Sequence, residues 1–202
     1  MFVEARKKLE NFDVSNINIG ILPEKVFLVY SVQYKSLAQK IKKKLEKTGK
    51  KVKGFKQVLG CSQLKSKEPI LLIGSGHFHA IQLALQGNTV YILENKIIKL
   101  NEQEINKIKA KRKAAVSKFL ASNKIGILVS TKPGQENLKQ AIFLKTKLEK
   151  KGKEVKIFLA DNIELKELEN YDIGSWLNTS CLALTLDNKV VHLHELNTPI
   201  HK

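Results

Sequence analysis

The feature that most constrains the fold is an internal repeat with an offset of 103 residues. Residues 42–55 and residues 145–158 are identical at ten of fourteen positions. The abundance of lysine accounts for part of this identity, but a leucine, a glycine, a valine and a phenylalanine also match. An apolar run that ends in serine precedes each copy, at residues 26–31 and 125–130. The chain therefore contains two similar units, each about one small domain long.

Each unit has the order strand, loop, helix, glycine, strand. In the first unit, Leu37, Ile41 and Leu45 recur at four-residue spacing, which predicts a helix over residues 35–47 that ends at Gly49. The second unit has an equivalent apolar stripe before Gly152. Strand, helix and strand with short connections favour a parallel sheet with right-handed crossovers.

We therefore predict an α/β protein with two similar parallel-sheet α/β domains that arose by internal duplication and are joined by a long helix. Residues 1–100 form the first repeat and carry Cys61. Residues 101–123 are predicted to be the connecting helix, because this charged stretch contains neither glycine nor proline over residues 101–122. Residues 124–202 form the second repeat and carry Cys181.

The repeat also makes a positional prediction. Superposition of the two domains should place Leu45 on Leu148 and Phe55 on Phe158, because these pairs share the offset of 103. Further strands are predicted at residues 70–73, 90–93 and 175–178.

Composition and charge limit the class of partner. No apolar run approaches the roughly 18 residues of a membrane span, and two cysteines do not make a disulfide framework. Charged residues near the first methionine argue against a signal peptide, so we expect a cytoplasmic protein without membrane contact. The net charge is +17, but Arg6 and Arg112 are the only arginines, whereas phosphate and base recognition favour arginine. A solvated lysine surface is the favoured interpretation and nucleic acid is not an expected partner; a basic RNA-binding module is the alternative.

Several conspicuous loops follow predicted strands. In parallel sheets the ligand crevice lies beyond the carboxyl ends of the strands, where these loops would meet. Cys61 and Cys181, the only cysteines, both follow apolar runs of this kind. Buried small side chains are one interpretation. The other is a soft-metal or iron–sulfur site shared by two loops, which predicts that both thiols face a common cleft.

The glycines and histidines of these loops leave alternatives open. Gly74 and Gly76 would let backbone amides approach an anionic group, although the full dinucleotide fingerprint is absent. Gly134 offers the same approach, or an ordinary turn with Pro133. For His77 and His79, a capping or packed histidine is the favoured interpretation, and a ligand or an acid–base group is the alternative.

The C-terminal histidines form a second candidate pair. His192 and His194 alternate along an apolar segment and are predicted on one face of a terminal strand. No familiar ligand spacing supports a zinc site built from them and a cysteine. No serine–histidine–acid or paired-carboxylate motif stands out, so no catalytic residue is assigned.

Taken in order, the loops resemble one known family, the archaeal-type 2-(3-amino-3-carboxypropyl)histidine synthases of diphthamide biosynthesis. The resemblance covers nearly the whole chain. The matching stretches are residues 2–5 (Phe-Val-Glu-Ala), 32–34 (Val-Gln-Tyr), 58–61 (Val-Leu-Gly-Cys), 76–79 (Gly-His-Phe-His), Arg112 and its helix running into 126–131, 133–135 (Pro-Gly-Gln), and 178–181 (Asn-Thr-Ser-Cys) with Asp187.

The resemblance implies a noncanonical radical enzyme that uses S-adenosylmethionine. Family members have three similar domains, and each gives one cysteine to a central [4Fe-4S] cluster; here Cys61 and Cys181 would be two of these ligands. The transferred 3-amino-3-carboxypropyl group is attached to a histidine of translation elongation factor 2. Motif matches imply that the S-adenosylmethionine pocket contains Gln33, Gly76, His77, Phe78, Gly134 and Gln135.

The chain departs from the family pattern in length and in detail. It starts where the family's second domain starts, so we expect a separate chain to supply the first domain and the third cysteine. His77 stands where arginine is common, Ser75 precedes Gly76, and residues 182–183 are Leu-Ala where the family usually has Pro-Arg. A non-catalytic docking subunit that keeps the fold is the alternative function.

Overall fold

The structure is a computed structural model that describes residues 14–74, 77–164, 166–180 and 190–196. The chain divides into two compact units, Met1–Ile105 and Asn106–Lys202. In the described part of the chain, every helix is too short or too polar to cross a membrane.

The first unit is built on a five-stranded sheet. Its elements are β1 (Lys25–Tyr30), α1 (Lys35–Lys47), β2 (Lys51–Gln57), β3 (Ile70–Ile73), α2 (His77–Leu85), β4 (Val90–Leu93) and β5 (Ile97–Lys99). The strand order is β2-β1-β3-β4-β5; the first four strands are parallel and β5 runs antiparallel to β4.

The second unit is built on a four-stranded parallel sheet. Its elements are β6 (Lys124–Ser130), α4 (Leu138–Glu149), β7 (Glu154–Ala160), β8 (Ser175–Asn178) and β9 (Val190–His192). The strand order is β7-β6-β8-β9. The long helix α3 (Glu102–Ala121) contains the division between the two units. Two separate sheets with parallel strands at residues 26 and 125 confirm the predicted fold class.

The two repeats end their helices in the same way. Gly49 and Gly152 have left-handed φ angles of 82° and 79°, which glycine adopts without steric cost. The amide of Lys50 donates to the carbonyl of Leu45, and the amide of Lys153 donates to the carbonyl of Leu148. Leu45 and Leu148 are buried beneath their sheets, at 0% and 2% exposure. The predicted equivalence of the two leucines agrees with this geometry.

The predicted equivalence of Phe55 and Phe158 is wrong. The pairing of β1 with β2 shifts register, because Val26 and Phe27 of β1 pair with Val52 and Gly54 of β2. Lys53 is therefore an extra residue of β2, with no counterpart in the continuous β6–β7 pairing. Phe55 consequently faces the core beneath α1, whereas Phe158 packs on the other side of its sheet in a cluster with Trp176.

Register and face make Ile157, not Phe158, the counterpart of Phe55. Ile157 lies opposite Ile127 and packs against the core beneath α4, just as Phe55 lies opposite Leu28 and packs beneath α1. The offset between the repeats is therefore 103 up to the first residues of the strand and 102 beyond the shift.

Candidate functional site

In the first unit, the carboxyl ends of β1, β2 and β3 bring the candidate loops to one edge of the sheet. The first of these loops contains Ser31 and Gln33, which lies exposed on a short 3-10 helix, Val32–Tyr34. It approaches the loop after β3 closely, since a Cβ on Gly74 would lie 2.7 Å from the hydroxyl oxygen of Ser31. Only glycine fits at position 74 without displacing Ser31.

The Cys61 loop follows β2 and is fixed although it has no regular structure. Val58, 1% exposed, donates its amide to the carbonyl of Tyr30 at 2.9 Å. A tight turn follows, in which the amide of Leu59 donates to the Ser62 hydroxyl at 2.8 Å and the amide of Ser62 donates to the Leu59 carbonyl at 3.0 Å. Cys61 lies inside this turn as an exposed free thiol.

The Cys61 turn also packs against the start of α2. A Cβ on Gly60 would lie 2.3 Å from Cε1 of Phe78, so a larger residue at position 60 would have to displace the ring. Phe78 in turn contacts the His79 ring edge-on, with centroids 5.7 Å apart. Burial lowers the pKa of His79 below its ordinary value. The sequence assigned Phe78 to a cofactor pocket, and here it supports the cysteine turn.

Two amide side chains that sequence reasoning missed hold the segment after Cys61. Gln86 donates to the carbonyl of Ser62 at 3.0 Å and accepts from the amide of Leu64 at 2.7 Å. Asn88 accepts from the amide of Ser66 at 2.9 Å and donates to the carbonyl of Leu64 at 2.8 Å. These bonds join residues more than 20 positions apart, and no periodic sequence pattern signals them.

His77 is the first residue of α2, and its side chain points to α3. Its Nε2 lies 3.1 Å from Oε1 of Glu104, and both side chains are about half exposed, at 56% and 44%. His77 therefore combines a hydrogen-bond partner with access to solvent or ligand. The structure brings Gln33, Cys61, His77 and Phe78 to one region of the first unit.

In the second unit, Gly134 and Gln135 lie in the exposed loop between β6 and α4. Gly134 has a left-handed φ of 78° with open space around it, and the amide of Gln135 donates to the Lys132 carbonyl at 3.0 Å. The Lys132 side chain reaches Asn162 at 2.6 Å, and Thr131 bonds to Asp161. The loop is thereby tied to the end of β7.

The three residues before Cys181 are firmly held by the neighbouring strand. The hydroxyl of Thr179 donates to the carbonyl of Leu128 at 2.9 Å, and the amide of Ser130 donates to the hydroxyl of Ser180 at 2.7 Å. The amide of Ser180 donates to the side chain of Asn178 at 2.8 Å. Cys181 itself lies outside the described residues.

His192 fixes the same segment from the other side. Its Nδ1 accepts the amide hydrogen of His194 at 3.1 Å, so Nε2 carries the proton and donates to the carbonyl of Ser180 at 3.1 Å. Burial lowers the pKa of His192 below its ordinary value, which favours the neutral ring whose Nδ1 accepts from His194. His192 is thus a structural support for the residues that precede Cys181.

The predicted strand face with both C-terminal histidines is wrong at His194. Strand β9 ends at His192, and the chain then turns into a 3-10 helix, Leu193–Leu196, because Glu195 accepts the His192 amide at 2.8 Å and also pairs with Arg112. The two imidazole rings stack with centroids 4.9 Å apart. Among the described residues, no three histidine, cysteine or acidic side chains converge as a metal site would need.

Several predicted elements of the site lie outside the described residues, namely residues 2–5, Gly76, Cys181 and Asp187. The common cleft for the two thiols therefore remains a prediction. The described thiol meets the chemical requirement for an iron–sulfur ligand, since Cys61 is accessible and lies on a fixed turn.

Fixed loops at the carboxyl ends of parallel strands, one of them presenting an exposed thiol, define an α/β protein with a candidate thiolate centre. The chain belongs to the diphthamide synthesis protein family, which matches residues 1–199.

The curated relatives that it matches share a name. The chain is 27% identical over 183 residues to a 2-(3-amino-3-carboxypropyl)histidine synthase from Methanocaldococcus jannaschii, covering 87% of this chain and 50% of the relative. It is 26% identical over 204 residues to the protein of the same name from Pyrococcus horikoshii, covering 93% and 60%. The chain thus spans only half to three fifths of these relatives.

A solved structure shares the fold. The crystal structure of Dph2 from Pyrococcus horikoshii with a 4Fe-4S cluster matches with a TM-score of 0.76 at 26% identity, over 89% of this chain and 58% of that one. A second crystal structure of the same protein matches with the same TM-score at 25% identity.

Proposed function

We propose that this chain is the cluster-binding part of a radical S-adenosylmethionine enzyme, a 2-(3-amino-3-carboxypropyl)histidine synthase that modifies a histidine of elongation factor 2. The observation that carries the proposal is the exposed Cys61 thiol on its fixed turn at the carboxyl edge of the first sheet. Family membership and the names of the relatives support the same class of reaction.

Cys61 and Cys181 are the proposed ligands of a [4Fe-4S] cluster. Thiolates are the usual ligands of such clusters, and the hydrogen bonds around Ser62 and Ser180 would limit the movement of each loop. When bound, the cluster supplies the electron that cleaves a carbon–sulfur bond of S-adenosylmethionine and so frees the 3-amino-3-carboxypropyl group. Two cysteines are one fewer than the three that the family resemblance implies, so the third would come from a family domain outside these 202 residues, which we propose to be a separate chain.

The remaining loop residues are proposed to bind and orient S-adenosylmethionine. In the first unit these are Gln33, His77 and Phe78, together with Gly76. In the second unit they are Gly134, whose open surroundings admit a ligand carboxylate, and Gln135. Because His77 pairs with Glu104, its ring is oriented before a ligand arrives.

The proposal is tested with the anaerobic, reduced pair of this chain and a polypeptide that carries the missing family domain. We expect transfer of the 3-amino-3-carboxypropyl group to elongation factor 2 and the absorbance of a [4Fe-4S] cluster. Cys61→Ala and Cys181→Ala should each abolish both signals while the circular dichroism of the chain stays unchanged.

The matched control is Gln63→Ala, an exposed change two residues from Cys61 that removes no thiol. It should retain both cluster and transfer. If the two cysteine variants keep cluster absorbance and transfer activity, the chain is a non-catalytic docking subunit and the enzymatic proposal is wrong.

A further inference from the structure

The segment that follows Cys61, residues 62–66, has the exposure pattern of a strand, although no described strand pairs with it. Its side chains alternate between the solvent and the interior. The exposed ones are Gln63 and Lys65, and the partly buried ones are Ser62, Leu64 and Ser66. A period of two is the geometry of an extended chain with one face on the protein.

Two side-chain amides take the place of a partner strand along one edge of this segment. Gln86 binds the carbonyl of Ser62 and the amide of Leu64. Asn88 binds the carbonyl of Leu64 and the amide of Ser66. Each side-chain amide also donates to a carbonyl of α2, at 3.1 and 2.8 Å, so the helix anchors both. The backbone groups of alternate residues thus form the bonds that a strand ladder would supply.

The opposite edge of the segment is open. In an extended chain the amide and carbonyl groups of successive residues point to alternate sides, so those of Gln63 and Lys65 point away from the two side-chain amides. Among the described residues, none forms a backbone hydrogen bond with these groups, which we name the open edge. Unpaired amides and carbonyls along an extended chain are a template for the addition of another strand.

The side chains beside the open edge are basic. Lys65 and Lys67 are both exposed, and the chain as a whole carries a net charge of +17. Opposite charges on facing residues of a strand pair stabilise the pair, whereas like charges destabilise it. A second copy of the chain on this edge would bring lysines towards lysines. Acidic side chains would complement them, and the net charge would also attract an acidic segment from a distance.

We propose that the open edge binds an extended, acidic segment of another protein by strand addition. The backbone of that segment exchanges hydrogen bonds with Gln63 and Lys65, and its acidic side chains lie beside Lys65 and Lys67. The open edge begins two residues after Cys61, so the bound segment lies close to the exposed thiol. The interaction needs no cluster, because the free chain already holds every group that forms it.

The probe is a peptide of about seven residues, blocked at both ends, in which glutamate alternates with threonine. We expect it to bind the full 202-residue chain, without cluster or partner, with a Kd on the order of 100 µM at low salt, since a short flexible strand loses conformational entropy on binding. The matched probe is the same peptide with every backbone amide N-methylated. It keeps the charge but has no backbone donor, and should not bind at millimolar concentration.

Lys65→Pro tests the backbone of the open edge directly. Proline removes the amide hydrogen of this position, and the extended chain before it suits the residue that precedes a proline. Because the lost amide has no described backbone partner, the variant should keep its circular dichroism and bind the probe at least about tenfold more weakly. The matched control Lys65→Ala removes the charge but keeps the amide, and should weaken binding only about two- to threefold. Calorimetric titration measures each Kd.

Amide hydrogen exchange gives a second measurement that needs no variant. In the free chain the amides of Leu64 and Ser66 should exchange slowly, because side-chain amides accept from them, whereas those of Gln63 and Lys65 should exchange fast. A saturating concentration of the probe should slow exchange at Gln63 and Lys65.

Three results would overturn the inference. The first is no binding of the probe at millimolar concentration, or equal binding of the N-methylated peptide, which would mean attraction by charge alone. The second is fast exchange at Gln63 and Lys65 while the probe is bound. The third is a dimer in size-exclusion chromatography that excludes the probe and that Lys65→Pro dissociates, because a second copy of the chain would then occupy the open edge.

Discussion

At the residue scale, Gly60 is the position where a single methyl group should disturb the candidate site most directly. A Cβ there would lie 2.3 Å from the Phe78 ring. We expect Gly60→Ala to lower the free energy of unfolding by about 1–3 kcal/mol through overpacking, measured by urea denaturation. The smaller side chain of Phe78→Leu should relieve part of this cost in the double variant. Strictly additive effects would mean that the contact does not hold the turn.

His192 should make the stability of the chain depend on pH. Burial lowers its pKa in the folded state below the ordinary value of about 6.5, so the unfolded chain binds the proton more readily. The free energy of unfolding should therefore be greatest above that value and fall as the pH drops through it towards the folded pKa. Denaturation series at pH 7.5, 6.5 and 5.5 measure this decline.

The control for this pH dependence is to substitute, one at a time, each histidine whose pKa is lowered by burial. His192→Gln should flatten the decline, and His79→Gln should remove a further part, because burial also lowers the pKa of His79. An unchanged pH slope in the His192→Gln variant would contradict the assignment.

Sequence reasoning identified the residues that form motifs but not those that support them. Gln33, His77 and Phe78 were found because their neighbours match a family pattern. Gln86, Asn88 and the Arg112–Glu195 pair act through long-range hydrogen bonds, for which neither spacing nor composition gives a signal. The sequence singled out Arg112 as one of two arginines and as part of a matching helix, but its contacts with Glu195 and Val190 became visible only in the structure.

At the scale of elements, the two helix ends permit a paired test of the duplication. Gly49 and Gly152 have left-handed backbones and open surroundings, so substitution there changes conformational cost without a steric clash. We expect Gly49→Ala and Gly152→Ala each to lower the free energy of unfolding by about 1 kcal/mol. Chemical denaturation followed by circular dichroism measures the loss.

Asparagine provides the graded control for this test, because it tolerates left-handed angles better than alanine. Gly49→Asn should cost less than Gly49→Ala, and Lys43→Ala on the exposed face of α1 should stay within about 0.5 kcal/mol of wild type. Alanine tolerated at both glycines would contradict the shared cap.

The strands and helices were predictable because burial requires apolar residues at regular positions along the sequence. The apolar spacing in α1 and the short apolar runs of β3, β4 and β8 gave bounds that the structure reproduces. The register shift in β2 was not predictable. It accompanies a tertiary contact, in which the Phe27 ring occupies the space that a Cβ on Gly54 would need, only 2.2 Å from Cε2.

At the scale of the whole molecule, the two cysteines do not descend from one duplicated position. Cys61 follows β2, the edge strand of its sheet, whereas Cys181 follows β8, an inner strand. By register, β8 corresponds to β3, since Leu71 and Leu177 both face the helix-covered core opposite equivalent residues. Counted along the chain, the counterpart of Cys181 is then Ser75, so the two units carry their cysteines at different positions of the repeat.

The number of cysteine ligands predicts how much iron the chain can hold. Because the chain has two cysteines and the proposed site needs at least three thiolates, the chain alone should retain well under four iron atoms after anaerobic reconstitution and lose them readily to a chelator. Addition of a polypeptide with the missing family domain and its cysteine should raise the content towards four iron and four sulfide per complex. The same mixture with Cys61→Ser should stay low, which separates ligation from non-specific iron uptake. Size-exclusion chromatography identifies the species that holds the iron. Four chelator-resistant iron atoms on the chain alone, as a monomer or as a pair of copies that pool four thiolates, would show that no separate chain is needed to complete the site.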